Sequence, residues 1–318
     1  MSGPVGPYPA PVGRTARRLA WEHLPPMVRR AVEARLGTAV STAASRDSGF
    51  TPGFASVLDG VDGSRHFVKA ASATAQPMFA ASYREEIRKL SLLPDGVPAP
   101  RLLWSFEEYD WVVLSTEFVE GAAPERPWRT DQLEACLDAL EETARLLTPC
   151  PDGLVLDRFE DELADWPQLW DAVGPRYGLP HTAATRELAD LFAGHCHGET
   201  VVHTDVRDDN LLLRPDGAAL LCDWNWPSRG AAWLDSFLAL IGPRGDGLDV
   251  DDVLARRPVF AEVPAEAFDS LLALITGYFL HSAAQPVPGN SPHIRDHQRW
   301  QGEVTWQWLC ERRGWPPA

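Results

Sequence analysis

Val201-Val202-His203-Thr204-Asp205-Val206-Arg207-Asp208-Asp209-Asn210, followed by Leu211-Leu212-Leu213-Arg214, Pro215-Asp216-Gly217-Ala218 and Ala219-Leu220-Leu221-Cys222-Asp223-Trp224, is the stretch that decides the fold. Two apolar runs around a Pro-Asp-Gly turn predict a β-hairpin. With a loop over residues 215–218, Arg214 faces Ala219, Leu211 faces Cys222 and Asn210 faces Asp223. Directly opposed side chains have Cβ atoms about 4.5–5.5 Å apart. A carboxamide and a carboxylate therefore meet at the open end of the hairpin and offer oxygen ligands to a hard cation such as Mg²⁺. Asp205, on the loop just before, is placed to take a proton from an attacking hydroxyl, and Arg207 adds a fixed positive charge beside it. An acidic turn chosen for backbone reasons would also contain Asp and Asn. It would not account for a His-x-Asp-x4-Asn spacing followed by an apolar hairpin that ends in Asp-Trp.

That constellation resembles the catalytic and metal-binding motifs of the protein-kinase-like superfamily, and His-Thr-Asp with Asp-Trp resembles its aminoglycoside phosphotransferase branch. The resemblance implies an α+β, bilobal fold with an N-terminal antiparallel sheet plus helix and a mainly helical C-terminal lobe. It also implies Mg²⁺-dependent transfer of the γ-phosphate of ATP or GTP to a hydroxyl of a small molecule. In these terms Asp205 is the catalytic base, Asn210 and Asp223 hold Mg²⁺, and His203 supports the loop. Lys69, ending His66-Phe67-Val68-Lys69, matches the strand lysine that contacts the α- and β-phosphates. Glu86 matches its helix partner, with Glu85 as the alternative register. Ser48-Gly49-Phe50-Thr51 stands where the phosphate-covering loop belongs, without a GxGxxG pattern, and Glu117-Phe118-Val119 stands at the hinge that pairs with the base. Phe67 occupies the place of the usual small residue over the base, which leaves ATP and GTP both open. Only a few residues separate Asp223-Trp224-Asn225 from Gly230, too few for a long activation loop. Asp235 is expected to anchor the catalytic loop.

Outward from this segment the texture divides the chain into three parts. Residues 1–37 read as a tail and a short helix, 38–120 as a nucleotide-binding lobe, and 121–318 as a catalytic and acceptor-binding lobe. Strands are expected at 54–58, 66–70, 101–106 and 111–118, with a polar turn at 107–110. Helices are expected at 25–36, 83–93, 132–147, 185–193, 264–283 and 294–313.

The chain of 318 residues carries a formal net charge of −16, which argues against a broad basic surface for nucleic acid or anionic membrane and suits a cationic small molecule. Asp157, Glu160 and Asp161, with Glu162 and Asp165, crowd one segment beside Trp166 and Trp170. An acidic, aromatic-lined acceptor pocket for an amino sugar or another cationic alcohol is one reading of that segment. A solvated acidic helix face with its tryptophans in the core is the other. Five scattered cysteines without a CxxC pair read as free thiols, and His195-Cys196-His197 lacks usable ligand spacing for zinc. The Pro- and Gly-rich start has no apolar signal core, and no apolar run approaches the roughly 20 residues needed to span a bilayer, so a cytoplasmic protein is expected. Two other functions fit the same motifs: a metabolic kinase for a choline-, homoserine- or sugar-like alcohol, and a pseudokinase that binds nucleotide and acts through a partner. The joint presence of Lys69, Asp205, Asn210 and Asp223 speaks against the second, because a binding module needs no base.

Overall fold

The computed structural model describes residues 18–46, 53–289 and 291–316. Ser48, Gly49, Phe50 and Thr51, the expected phosphate-covering residues, lie outside the described residues. The N-terminal lobe runs α1 (Pro26–Leu36), β1 (Val40–Ser45), β2 (Phe54–Gly60), β3 (Arg65–Ser72), α2 (Pro77–Leu90), β4 (Leu102–Glu108) and β5 (Trp111–Glu117). The five strands form one antiparallel sheet in the order β1-β2-β3-β5-β4.

Strand alternation divides the side chains of β2 and β3 between two faces, both of them covered. Phe54, Leu58, Val68 and Ala70 pack with Val28 and Val32 of α1 on one face. Ala55, Val57, Phe67 and Lys69 point the other way, into the cleft, with Ala55 opposite Lys69 and Val57 opposite Phe67. Both faces are covered, so each buried Val or Leu contributes roughly 1.5–3 kcal/mol of transfer free energy. The lysine shares the cleft face because it lies an even number of residues from Phe67.

Most expected bounds shift by a few residues, and two of the shifts have a plain physical cause. The helix begins at Pro77, not at residue 83, because proline suits a first helical turn, where no N–H donor is needed. Its buried positions Ala80, Tyr83, Glu86 and Leu90 then follow the helical spacing. The β4–β5 turn narrows to Tyr109 and Asp110, both left-handed at φ 55° and 69°, the geometry of a two-residue type I′ hairpin. Asp110 secures the neighbouring loop by accepting the hydroxyls of Ser72 and Thr74, each at 2.7 Å.

The C-terminal lobe contains α3 (Thr130–Leu146), α4 (Phe159–Glu162), α5 (Trp170–Tyr177), α6 (Thr182–Asp190), α7 (Phe192–Cys196), β6 (Thr200–Val202), β7 (Leu211–Leu213), β8 (Ala219–Leu221), β9 (Ser228–Gly230), α8 (Leu234–Leu238), α9 (Ile241–Gly245), α10 (Val250–Arg256), α11 (Ala265–Ala283) and α12 (Ile294–Arg313). Helix α11 is buried on almost every side, and α12 lies along it. Their buried threonines meet, Thr276 Oγ1 to Thr305 Oγ1 at 2.8 Å. The expected helix at 185–193 is two shorter ones, α6 and α7. Among the described residues no group of three or more His, Cys, Asp or Glu side chains is arranged to hold a metal, and no helix is long and apolar enough to cross a membrane.

The β7–β8 hairpin forms, but its register is one residue off the expectation. The loop has three residues, 215–217, with Gly217 left-handed at φ 87°, and the Arg214 N–H donates to Ala218 O. Leu213 therefore pairs with Ala219, and the Cys222 N–H donates to the carbonyl of Asn210. Asn210 faces Cys222 rather than Asp223. A four-residue loop misses the bulge that glycine permits. The linker from the first lobe is tied to this hairpin by two bonds between Ala122 and Leu213. A Cβ on Gly121 would lie 2.4 Å from Leu213 O, so only glycine lets the two backbones approach.

Candidate active site

Strand β6 delivers His203, and the turn that follows is fixed by Asp235. The backbone N–H groups of His203 and Thr204 donate to the two Asp235 carboxylate oxygens at 2.6 and 2.9 Å. His203 Nε2 donates to Cys222 O at 2.9 Å, which ties this turn to the segment that follows β8 and carries Asp223. His203 itself is buried, with its ring edge against Trp224, so its place is support. Thr204 and Asp223 are both left-handed, at φ 65° and 68°. Non-glycine residues in that region cost about 1–3 kcal/mol and collect where surroundings over-determine them, as at functional loops.

Asp205 projects from this turn. Its Oδ1 accepts from Arg207 Nη1 at 2.9 Å and its Oδ2 from Asn210 Nδ2 at 3.0 Å. Burial pushes the Asp205 carboxyl above its ordinary value, with Arg207 pulling against it. Arg207 is shared with Asp209, which accepts from it at 3.0 and 3.1 Å. The guanidinium therefore braces the whole turn.

Lys69 Nζ reaches both Glu86 oxygens, at 2.7 and 2.9 Å, and Asp223 Oδ1 at 2.7 Å. Glu86 is the partner; Glu85 stays on the surface and pairs with Arg88. Burial opposes the Lys69 ammonium, but Asp223 and Glu86 outweigh it and raise its pKa. Burial likewise works against the Asp223 carboxylate, and Lys69 and Arg207 overcome it, holding Asp223 below its ordinary value. Asp223 Oδ2 and Asn210 Oδ1 accept no hydrogen bond among the described residues. Two free oxygens of this kind fit a hard divalent cation.

These residues divide two cavities. The first, about 210 Å³, lies between the lobes and is lined by Phe67, Lys69, Phe118, Val119, Asn210 and Asp223. Glu117, Phe118 and Val119 all reach it, and the Glu117 N–H is occupied by Arg101 O at 2.9 Å. The second, about 660 Å³, opens on the far side of Asp205 and is bounded by α4, α11 and α12.

Of Asp157, Glu160, Asp161, Trp166 and Trp170, only Trp166 lines that second cavity. Trp170 is fully buried and donates its indole N–H to Ala273 O at 2.9 Å, so it belongs to the core. Glu160 is turned to His197, with Oε1 to Nδ1 at 2.6 Å. Asp157 and Asp161 are exposed and do not line the cavity. The residues that do line it from this segment are Phe159, Glu162, Leu163 and Trp166. Their i, i+3, i+4, i+7 spacing is the one-faced helical signal that a count of carboxylates passes over.

Sequence reasoning also missed a brace behind the catalytic loop. Arg126 Nε contacts Asp208 Oδ2 at 2.5 Å and its Nη1 contacts Asp246 Oδ1 at 3.0 Å, while Trp128 Nε1 donates to Asp208 Oδ1 at 3.2 Å. No local pattern announces a contact between residues so distant in the chain. Asn225 is a second omission: its Nδ2 donates to Asp223 Oδ1, its Oδ1 accepts from Ser82 Oγ at 3.0 Å, and its carbonyl accepts from Lys89 Nζ at 2.6 Å.

Comparison with known proteins agrees with this architecture. The structure is similar to an aminoglycoside phosphotransferase from Alicyclobacillus acidocaldarius, at 16% identity and a TM-score of 0.57, over 93% of this chain and 98% of that one. It is similar also to a choline kinase from Streptococcus pneumoniae, at 13% identity and TM-score 0.56, over 88% and 98%. A third likeness is to a spectinomycin phosphotransferase in complex with AMP, at 11% identity and TM-score 0.57, over 89% and 94%. No curated protein matches the sequence. At these identities the likeness establishes the kinase-like α+β fold. The sequence model of the phosphotransferase enzyme family matches residues 54–268, well over half of the chain and inclusive of Lys69, Asp205, Asn210 and Asp223, and the chain belongs to that family as a phosphotransferase acting on an alcohol.

Proposed function

We propose that the protein transfers the γ-phosphate of a nucleoside triphosphate, ATP or GTP, to a hydroxyl of a small molecule held beside Asp205. The observation that carries this reading is the position of Asp205 and Asn210 on the wall between the two cavities. Asn210 lines the cleft that holds Lys69 and Asp223, Asp205 lines the opposite cavity, and the two side chains are bonded at 3.0 Å.

Nucleotide enters the interlobe cleft, where its base meets Phe67 and the exposed backbone of the hinge and Lys69 meets its phosphates. Asn210 and Asp223 would hold a Mg²⁺ ion, which would supply neutralisation of phosphate charge. The acceptor hydroxyl approaches from the second cavity, and Asp205 accepts its proton as the new O–P bond forms. The bond from the γ-phosphorus to the bridging oxygen breaks, and the nucleoside diphosphate keeps that electron pair. A carboxyl raised by burial is a better proton acceptor than a solvated one. Arg207 orients it and offsets negative charge that develops at the attacking oxygen.

The test is Asp205→Asn, which keeps the shape and removes the base. Phosphoryl transfer should fall by about 10²–10⁴-fold with nucleotide binding intact. Near-normal turnover in that variant would remove Asp205 from the mechanism. Wild-type binding of nucleotide without transfer to any hydroxyl in a broad acceptor panel would favour a pseudokinase.

A further inference from the structure

We infer that the acceptor is an alcohol with a broad apolar or aromatic body, gripped by stacking, and not a polycationic amino sugar. This rests on the phosphotransfer reading above and narrows its substrate class. Among the described residues the second cavity has two carboxylates on its lining, Asp205 and Glu162. Asp205 is already paired with Arg207 at 2.9 Å, and that guanidinium also lines the cavity. Glu162 stands exposed at the rim and is bonded by the Ser228 hydroxyl. A sugar carrying four or more ammonium groups would find one open carboxylate and one opposing cation. Charges taken from water without partners are costly, so such a ligand is disfavoured.

The walls are built for a different body. Trp166 stacks on Tyr278 with centroids 3.9 Å apart and planes 4° from parallel. Both rings line the cavity, along with Phe279 and Ile275 of α11. Trp226 stands at the cavity with 65% of its surface exposed, a further large apolar ring open to a ligand. The polar groups that α12 adds are His297, Gln298 and Gln301, none of them a carboxylate, and the Gln301 side chain makes no hydrogen bond among the described residues. It supplies a neutral donor and acceptor where a cation-binding pocket would need carboxylates. At about 660 Å³ the space is of the order that encloses a drug-sized molecule.

The experiment compares kcat/KM for two acceptor sets with Mg²⁺ and triphosphate: alcohols of growing aryl or macrocyclic body, and aminocyclitol sugars with four or more amino groups. The first set should be favoured by about tenfold or more, and Trp166→Ala should raise its KM by about tenfold with kcat nearly kept, the loss of one stacking wall. Glu162→Gln should cost less than Trp166→Ala. Faster turnover of the amino sugars, or a larger loss from Glu162→Gln than from Trp166→Ala, would overturn the inference. Should neither set accept phosphate, the kinase reading fails, and tryptophan fluorescence still decides the pocket. Tighter binding of the apolar set upholds the inference. Tighter binding of the amino sugars, or of neither, overturns it. Trp166→Phe, which keeps a ring, guards against a folding defect and should restore most of the affinity.

Discussion

Lys69 Nζ stands 2.7 Å from Glu86 Oε1 and 2.7 Å from Asp223 Oδ1, so one ammonium joins the helix of the first lobe to the Asp223 loop of the second. Both carboxylates depend on it: Glu86 is 3% exposed at its side chain and Asp223 27%. Lys69→Met should destabilise the protein by about 3–5 kcal/mol, because it leaves buried charge without a partner. Adding Glu86→Leu should recover part of that loss, since an apolar replacement removes the orphaned charge. Calorimetry on the single and double variants checks it, and a Lys69→Met protein that melts with the wild type would contradict the coupling.

Arg126 fixes the far side of the catalytic turn. It bridges Asp208 and Asp246 and lies 4.8 Å from the Trp300 ring, and burial pushes Asp208 up while Arg126 pulls it back. Arg126→Met should lower kcat by about tenfold, a loss of roughly 1.4 kcal/mol at the transition state, with KM for nucleotide nearly unchanged. Arg126→Lys should recover only a fraction, because a point charge cannot serve two carboxylates as a planar fork does. Initial-rate kinetics separate the two constants; a change confined to KM would show that Arg126 serves binding instead.

His297 makes stability depend on pH. Burial, with Arg207 and Arg126 nearby, lowers its pKa from 6.5 to about 4, so the folded protein holds the ring neutral through mild acid. The unfolded chain takes up a proton below about pH 6.5 and the folded chain does not until about pH 4. The His297 contribution to stability is therefore flat above pH 6.5 and is lost as pH falls through that window, by up to about 3 kcal/mol. Urea unfolding of wild type and His297→Asn at pH 7.5 and 5 should show the variant losing less stability on acidification. Equal losses would mean that another group carries the slope.

What was legible in the sequence was local. The spacing from His203 to Asp223 picks out the turn on which Asp205, Arg207 and Asn210 meet, and the family resemblance picks out Lys69, which the period of two along β3 turns toward the cleft. The helix at 294–313 keeps its expected bounds, and in the fold Gly314, left-handed at φ 64°, ends it. The register of the 211–221 hairpin slipped by one because Gly217 takes up a bulge, a conformational choice the composition of the loop does not state. Ser82 and Asn225, or Arg126 and Asp208, meet across many intervening residues, and a single sequence carries no trace of such pairs. Counting carboxylates along residues 157–165 does not tell which of them face the second cavity. The fold turns Glu160 to His197 and gives the cavity wall to Tyr278 and Phe279, which read as ordinary core residues.

Asn225 connects the Asp223 carboxylate to helix α2. Its amide donates to Asp223 Oδ1, its own carbonyl oxygen accepts from Ser82, and its backbone carbonyl takes the buried Lys89 ammonium at 2.6 Å. With Lys69 on the same Oδ1, the carboxylate is held so that Oδ2 is the oxygen left for a cation. Asn225→Ala removes one bond to an ionised acceptor and leaves the Lys89 contact in place. A hydrogen bond to a charged group contributes about 1.5–3 kcal/mol, part of which Lys69 retains, so the Mg²⁺ concentration for half-maximal activity should rise by about tenfold. Ser82→Ala, one step further from the carboxylate, should raise it less, and both variants should approach wild-type kcat when Mg²⁺ saturates. A lower kcat at saturating Mg²⁺ with an unshifted titration would place Asn225 in the support of the catalytic turn and not in the orientation of Asp223.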